Sequence, residues 1–180
     1  MIVPSTRIFT AGEVETGAYL NSAVTNLGNF MLGKPVASLY TVNTQSFTAS
    51  TTAAVTWATG SGGVIALNRD NGWSSSNATY YTAQTSGWYW ITGGASWAST
   101  AATYKGTFLR LNGATAIQGS STINGSASTT AQTNSVAFVY LNSGDYIELM
   151  GRAQGTTTAL AAPAIGSTAT AFLNLVWVSL

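Results

Sequence analysis

The chain has 180 residues, of which 6% are charged; Lys plus Arg number 6 and Asp plus Glu 5, for a net charge of +1. An ordinary soluble domain is about 25% charged. Cys and His are both absent, which removes Cys- or His-ligated zinc, haem and iron–sulfur sites, disulfide scaffolds, and Ser–His–Asp or Cys–His catalysis. The scattered cations cannot form the cluster that a phosphate backbone needs, so no nucleic-acid partner is expected.

The length suits one domain. With 46% hydrophobic and 11% aromatic residues, the composition is the reverse of a disordered chain. No apolar run reaches the roughly 18–20 residues of a membrane span. The N-terminus lacks the basic start, apolar stretch and small-residue site of a secretory leader. The expectation is therefore a protein made in a cytoplasm, with no membrane partner. Net charge near zero gives up the repulsion that keeps lone domains apart. A surface of Ser, Thr, Asn and Gln fits a chain packed in a permanent assembly, or a neutral secreted-type β domain.

Residues 1–36 read as an arm. Thr10-Ala11-Gly12-Glu13 fits a capping box, in which the Thr oxygen and the Glu carboxylate satisfy backbone donors at a helix start. Val14, Leu20, Val24, Leu27 and Met31 then follow at mostly helical spacing. From Leu20 onward the steps of four, three and four also match a coiled-coil seam. Gly33-Lys34-Pro35 ends the helix, since Gly suits the C-cap and Pro cannot continue it. Two readings stand: a helix packed on its own domain, or an attachment arm that uses Arg7, Phe9, Leu20, Val24, Leu27 and Met31.

Residues 37–180 read as strand and turn. Strands are predicted at 39–47, 53–57, 64–68, 80–83, 87–97, 103–111, 114–118, 134–141, 146–152 and 169–178. Gly60-Ser61-Gly62-Gly63, Asp70-Asn71-Gly72 and Asn142-Ser143-Gly144-Asp145 mark turns, and Asn112-Gly113 is the strongest short hairpin signal. Residues 119–133 and 154–167 read as long polar loops. Many strands without intervening helices predict an all-β fold, an antiparallel β-sandwich or jelly roll with a short N-terminal helical arm.

The strands are apolar on both faces. Trp88 and Trp90 oppose Tyr89 and Ile91; Val136, Phe138 and Tyr140 oppose Val139 and Leu141; Phe172, Val176 and Val178 oppose Leu173, Leu175 and Trp177. A sandwich strand with one wet face alternates apolar and polar. One face therefore meets the partner sheet, and the other calls for a second subunit or the arm. The expected subunit-interface residues are Trp88, Trp90, Phe138, Tyr140, Phe172 and Trp177. Scattered surface aromatics are the competing explanation.

Catalytic candidates are few. Glu13 is explained by capping, Asp70 and Asp145 by turns, and Glu148 does not face Asp145 as paired glycosidase carboxylates would. No enzyme activity and no metal or cofactor are expected. Gly60-Ser61-Gly62-Gly63 lacks the Lys-Ser/Thr of a P-loop, and Asp70-Asn71-Gly72 is only a fragment of a calcium loop. Trp73, Tyr80, Tyr81 and Trp97 lie in or beside predicted loops. They can stack on a sugar, or serve as core or interface.

The segment Thr6-Arg7-Ile8-Phe9-Thr10-Ala11-Gly12-Glu13-Val14, with Tyr19-Leu20-Asn21 after it, resembles the opening of bacteriophage minor virion proteins, especially tail proteins of phages of actinobacteria. Tyr80-Tyr81-Thr82-Ala83, Ser86-Gly87-Trp88-Tyr89, Leu111-Asn112-Gly113, the stretch from Leu141 to Leu149 and the ending Leu175-Val176-Trp177-Val178 resemble the same proteins. The Gly-Trp-Tyr strand and the Leu-Asn-Ser-Gly-Asp hairpin also resemble the complement globular-head and tumour-necrosis-factor (TNF) jelly rolls. The resemblance implies a homotrimeric TNF-like head on a virion, held to other virion structural proteins by the arm. It also implies a tail-tip, fibre or capsid-decoration position and, for some relatives, contact with a host cell-surface glycan. The chain departs from typical fibres in having no long shaft.

Overall fold

Strands whose apolar residues recur every second position must stack sheet on sheet to bury them. The computed structural model, which describes residues 16–57, 63–123, 130–161 and 169–180, has that architecture. One helix, α1 (Gly17–Leu32), precedes the strands β1 (Val36–Thr41), β2 (Ser46–Phe47), β3 (Thr52–Ala54) and β4 (Gly63–Asn68). There follow β5 (Tyr80–Thr82), β6 (Gly87–Trp97), β7 (Tyr104–Leu111), β8 (Thr115–Ile123), β9 (Ala131–Leu141), β10 (Tyr146–Gln154), β11 (Thr158–Ala159) and β12 (Ala171–Ser179).

The first sheet has the order β4-β1-β12-β6-β9, and the second runs β3-β10-β7-β8 with β5 also paired to β10. Every pairing among the described strands is antiparallel. β5 and β3 lie end to end along one side of β10, against Tyr146–Glu148 and Met150–Arg152. The result is an antiparallel jelly-roll sandwich.

The core is aromatic. Trp57, Trp97, Tyr81, Tyr89, Phe47, Leu109 and Leu149 are fully buried between the sheets. Phe47 meets Trp97 edge to face at 5.1 Å, a favoured quadrupole geometry. The indole N–H of Trp97 donates to Thr133 Oγ1 at 2.8 Å, Thr107 Oγ1 donates to the same oxygen at 3.1 Å, and Ser135 Oγ donates to Thr107 O at 2.9 Å. This polar seam joins β6 and β9 to β7 across the core and leaves its members satisfied, as burial requires.

The hairpins follow their sequence signals. Asn112 (φ 51) and Gly113 (φ 71) both adopt left-handed backbone between β7 and β8, the type I′ pair that matches strand twist. At the β9–β10 turn, Asp145 accepts from Asn142 N–H at 2.7 Å and from Asn112 Nδ2 at 2.8 Å.

Several boundaries differ from the sequence reading. The predicted strand 39–47 is two strands in different sheets, β1 and β2. The predicted loop 119–133 is shortened from both sides, because β8 runs to Ile123 and β9 begins at Ala131; Ser/Thr alternation there pairs as a ladder without apolar anchors. A two-residue strand, β11, interrupts the other loop and pairs with β2. Thr10–Glu13, Val14 and most of the turn at 60–63 lie outside the described residues.

Candidate functional site

The two faces of the first sheet have opposite fates. Facing in, Leu39, Leu173, Leu175, Tyr89, Ile91 and Leu141 are buried. Facing out, Val36, Val176, Trp90 and Phe138 stand opposite one another in a single row across β1, β12, β6 and β9. Trp88 and Tyr140 pair in the row beyond. Trp90 is 50% and Phe138 53% exposed, and Trp88, Tyr140, Val136, Val176 and Val178 are exposed as well.

These rings pack on one another sideways. Trp88 stacks on Phe138 with centroids 5.0 Å apart and planes 11° from parallel, Tyr140 meets Trp88 edge-on at 5.7 Å, and Trp90 lies 6.3 Å from Phe138. Cross-strand contact fixes their rotamers, so the plate is ordered before anything covers it. A contiguous exposed apolar plate on a small domain is the mark of an interaction surface. The plate fades along the strands. The next row is Ser38, Asn174, Thr92 and Val136, and then come Tyr40, Phe172, Gly94 and Asn134.

Of the expected interface residues, Trp88, Trp90, Phe138 and Tyr140 lie on this plate. Phe172 is on the same face but half-buried at its far end. Trp177 is a correction: it is 3% exposed, pairs with Tyr89, and donates its indole N–H to Ser86 O at 3.1 Å. Strand alternation places it with Leu173 and Leu175, facing the core. Gly87 makes room for it, since a Cβ there would lie 2.2 Å from the indole nitrogen, and its φ of +147 already disfavours other residues. Val176 and Val178, passed over among the expected interface residues, take its place on the plate. Their alternation with Leu175 and Trp177 was the available signal.

The predicted sugar-stacking set divides in the same way. Tyr81 and Trp97 are 0% exposed and cannot stack on a ligand. Trp97 belongs to the inward parity of β6, and Tyr81 donates its hydroxyl to Asp70 Oδ2. Burial, with the Asp70 carboxylate beside it, pushes the Tyr81 phenol well up, and burial does the same to Tyr89. Trp73 and Tyr80 are half-buried, Trp73 packed against the core and Tyr80 tilted on Tyr146 at 4.5 Å.

The described acids are engaged structurally. Glu148, on β10, accepts from Arg110 Nε on β7 at 2.8 Å, and this hydrogen bond raises the guanidinium's pKa. The amide of Asn112, with Asn142, holds Asp145 below the usual carboxylate range. Asp70 receives Tyr81. Among the described residues no three His, Cys, Asp or Glu side chains converge on one point. Lys105 is fully buried, its ammonium donating to Ala98 O at 2.7 Å, and desolvation lowers its pKa.

A cleft opens at the end of the outer face away from the plate, lined by Ser96, Gln132, Asn134, Thr170 and Phe172 and holding about 130 Å³. Ligand pockets usually span about 300–1,000 Å³, so this one is smaller than a typical ligand site. The plate is the larger feature.

Of the arm residues, Leu20, Val24 and Leu27 lie exposed on α1, Met31 falls in its last turn, and Arg7 and Phe9 lie outside the described residues.

Solved structures share this architecture. Murine APRIL at pH 5.0 matches with a TM-score of 0.57 at 17% identity, covering 81% of this chain and 99% of that one. The globular domain of zebrafish complement 1qA protein matches with a TM-score of 0.54 at 16% identity, covering 81% and 98%. The fold is thus the TNF and complement globular-head jelly roll. No protein-family model and no curated protein matches the chain.

Proposed function

We propose that the protein is a homotrimeric jelly-roll head, a non-enzymatic structural component of a bacteriophage particle, joined to other virion proteins through residues 1–36. One observation carries the association of copies: the aromatic plate of Trp88, Trp90, Phe138 and Tyr140, stacked on itself and open to solvent in a single chain; the number three follows the resemblance to complement globular-head and TNF jelly rolls. Covering such side chains is worth roughly 1.5–3 kcal/mol each for full burial. Three copies meeting on this face dispose of the apolar surface by closed symmetry, whereas an open contact would propagate into filaments. The low charge of the chain favours permanent assembly for the same reason.

What supports the virion assignment is the resemblance of the segments from Thr6–Val14 to Leu175–Val178, taken in order, to phage minor virion proteins. The same resemblance is compatible with a tail-tip, fibre or capsid-decoration position. A host-glycan role has lost Tyr81 and Trp97 to the core, so the proposal rests on assembly, not on sugar recognition.

The test uses particles made from the genome that encodes the chain. Mass spectrometry of purified particles is expected to find the protein, and deletion of residues 1–33, which spares Pro35 and β1, is expected to leave a folded head that no longer co-purifies. A truncated head incorporated at the normal level contradicts the role of the arm. Particles that lack the full-length protein contradict the virion assignment.

A further inference from the structure

We propose that three copies of α1, one from each subunit, pack in parallel as a short helical bundle around Leu20, Val24 and Leu27. The inference rests on the homotrimer just described and adds a second contact to it. Leu20, Val24 and Leu27 are 59%, 63% and 53% exposed. Their spacing of four and three puts them on one stripe, Leu at d and Val at a, and Met31 is the next a position. No described side chain of α1 is buried, so the stripe of Leu20, Val24 and Leu27 is not covered by its own sandwich. The helix is held to the domain at its C-terminal end, where Arg69 Nη1 donates to Leu32 O at 2.6 Å.

Alone, this helix is poorly supported. It has 16 residues and none of them is charged, so it has no i,i+4 ion pairs. Isolated helices near this length are marginal in water, and Gly28 costs about 1 kcal/mol relative to Ala. A lipid surface is a poor match, because interfacial helices carry Lys or Arg on the polar face. A copy of the same stripe is complementary in size and lacks any charge to repel.

The tether delivers that copy. Only Gly33, Lys34 and Pro35 separate Leu32 from Val36, a reach of about 10 Å. Pro35 is buried, and its carbonyl accepts from Trp177 N–H at 2.9 Å. Val36 then stands in the row of Val176, Trp90 and Phe138. The helix therefore leaves the domain at the plate's own row. Any rotation that brings three plates together carries three helices with it, and rotational symmetry makes them parallel. Val at a with Leu at d leans toward two strands in long coiled coils. Two heptads are too few to impose that choice, so the heads set the number.

The absence of cysteine makes the test clean. Val24→Cys places a thiol on the stripe of the full-length chain, and Ser22→Cys places one on the opposite side of α1. Each variant is weighed by light scattering and then oxidised with copper phenanthroline. The expected result is a trimer in which Val24→Cys forms covalent dimers on the order of tenfold faster than Ser22→Cys, because its effective concentration is higher. A trimer in which the two variants cross-link at equal rates, or not at all, overturns the bundle and leaves the trimer standing. A monomer overturns both.

Discussion

The inward and outward faces of the first sheet are built by the same strands from similar residues, yet one is finished within the chain and the other is not. On β6, Tyr89 and Ile91 are buried while their neighbours Trp88 and Trp90 are open. Hydrophobicity alone does not separate them. What differs is the presence of a second sheet, which supplies Leu109, Ile147 and Leu149 to the inner face. The lesson is that an apolar strand records how many layers it will eventually meet. Two apolar faces mean three layers, and one chain here provides two of them.

Substitutions that treat the faces alike sharpen this contrast. The largest loss of folding is expected on the inner face. Trp97→Ala removes a fully buried ring and its bond to Thr133 and is expected to cost about 3–5 kcal/mol, read by denaturant unfolding. Trp177→Ala belongs with it and should lower stability before it alters association. A Trp177→Ala protein of unchanged stability that dissociates would return that residue to the interface.

An intermediate effect is expected at the phenol cluster behind the same face. Tyr81 and Tyr89 stay protonated in the fold at pH values where an unfolded tyrosine ionises, near about 10. The unfolded state then binds fewer protons than the native one. Stability is present below about pH 10 and falls as pH rises toward the raised native values. Tyr81→Phe should shed part of that alkaline loss, seen as a shallower decline of Tm above about pH 10. At neutral pH it should cost about 1–3 kcal/mol, because Asp70 loses its donor. An unchanged alkaline decline would remove Tyr81 from the account.

The smallest effect on folding and the largest on assembly are expected on the outer face. Trp90→Glu should leave the fold of one chain within about 0.5 kcal/mol of wild type. It should also abolish association, because burying three unpaired carboxylates at one interface is prohibitive. Circular dichroism combined with native mass checks both halves. An unfolded Trp90→Glu protein would mean that the plate is part of the single-chain core.

Much of this was legible in the sequence. The all-β class, the Asn112-Gly113 hairpin, the Leu141–Tyr146 turn and the helix stop at Gly33-Lys34-Pro35 follow from local chemistry that tertiary packing did not override. The two-faced strands were legible as well, because β6 and β9 carry apolar residues at consecutive positions, which leaves neither face polar. What the pattern could not assign was which face meets which layer. Alternation puts Trp177 and Phe172 on opposite sides of β12, and the pairing of Trp177 with Tyr89 and of Phe172 with Gly94 shows which side turns inward. Tyr81 and Trp97 take the core alternative over the sugar-stacking one for a related reason. Proximity to a loop says nothing about depth, and both side chains point between the sheets. The far half of β8 is not legible in the sequence because Ser and Thr carry no periodic apolar signal, although they pair well in a ladder.

The central claim is that the outer face is covered by copies of the same chain. Light scattering on the purified full-length protein tests it most directly. The account predicts a particle of three times 18.6 kDa, unchanged on dilution through the micromolar range. A stable particle of 18.6 kDa with the aromatic plate still open to solvent would contradict it.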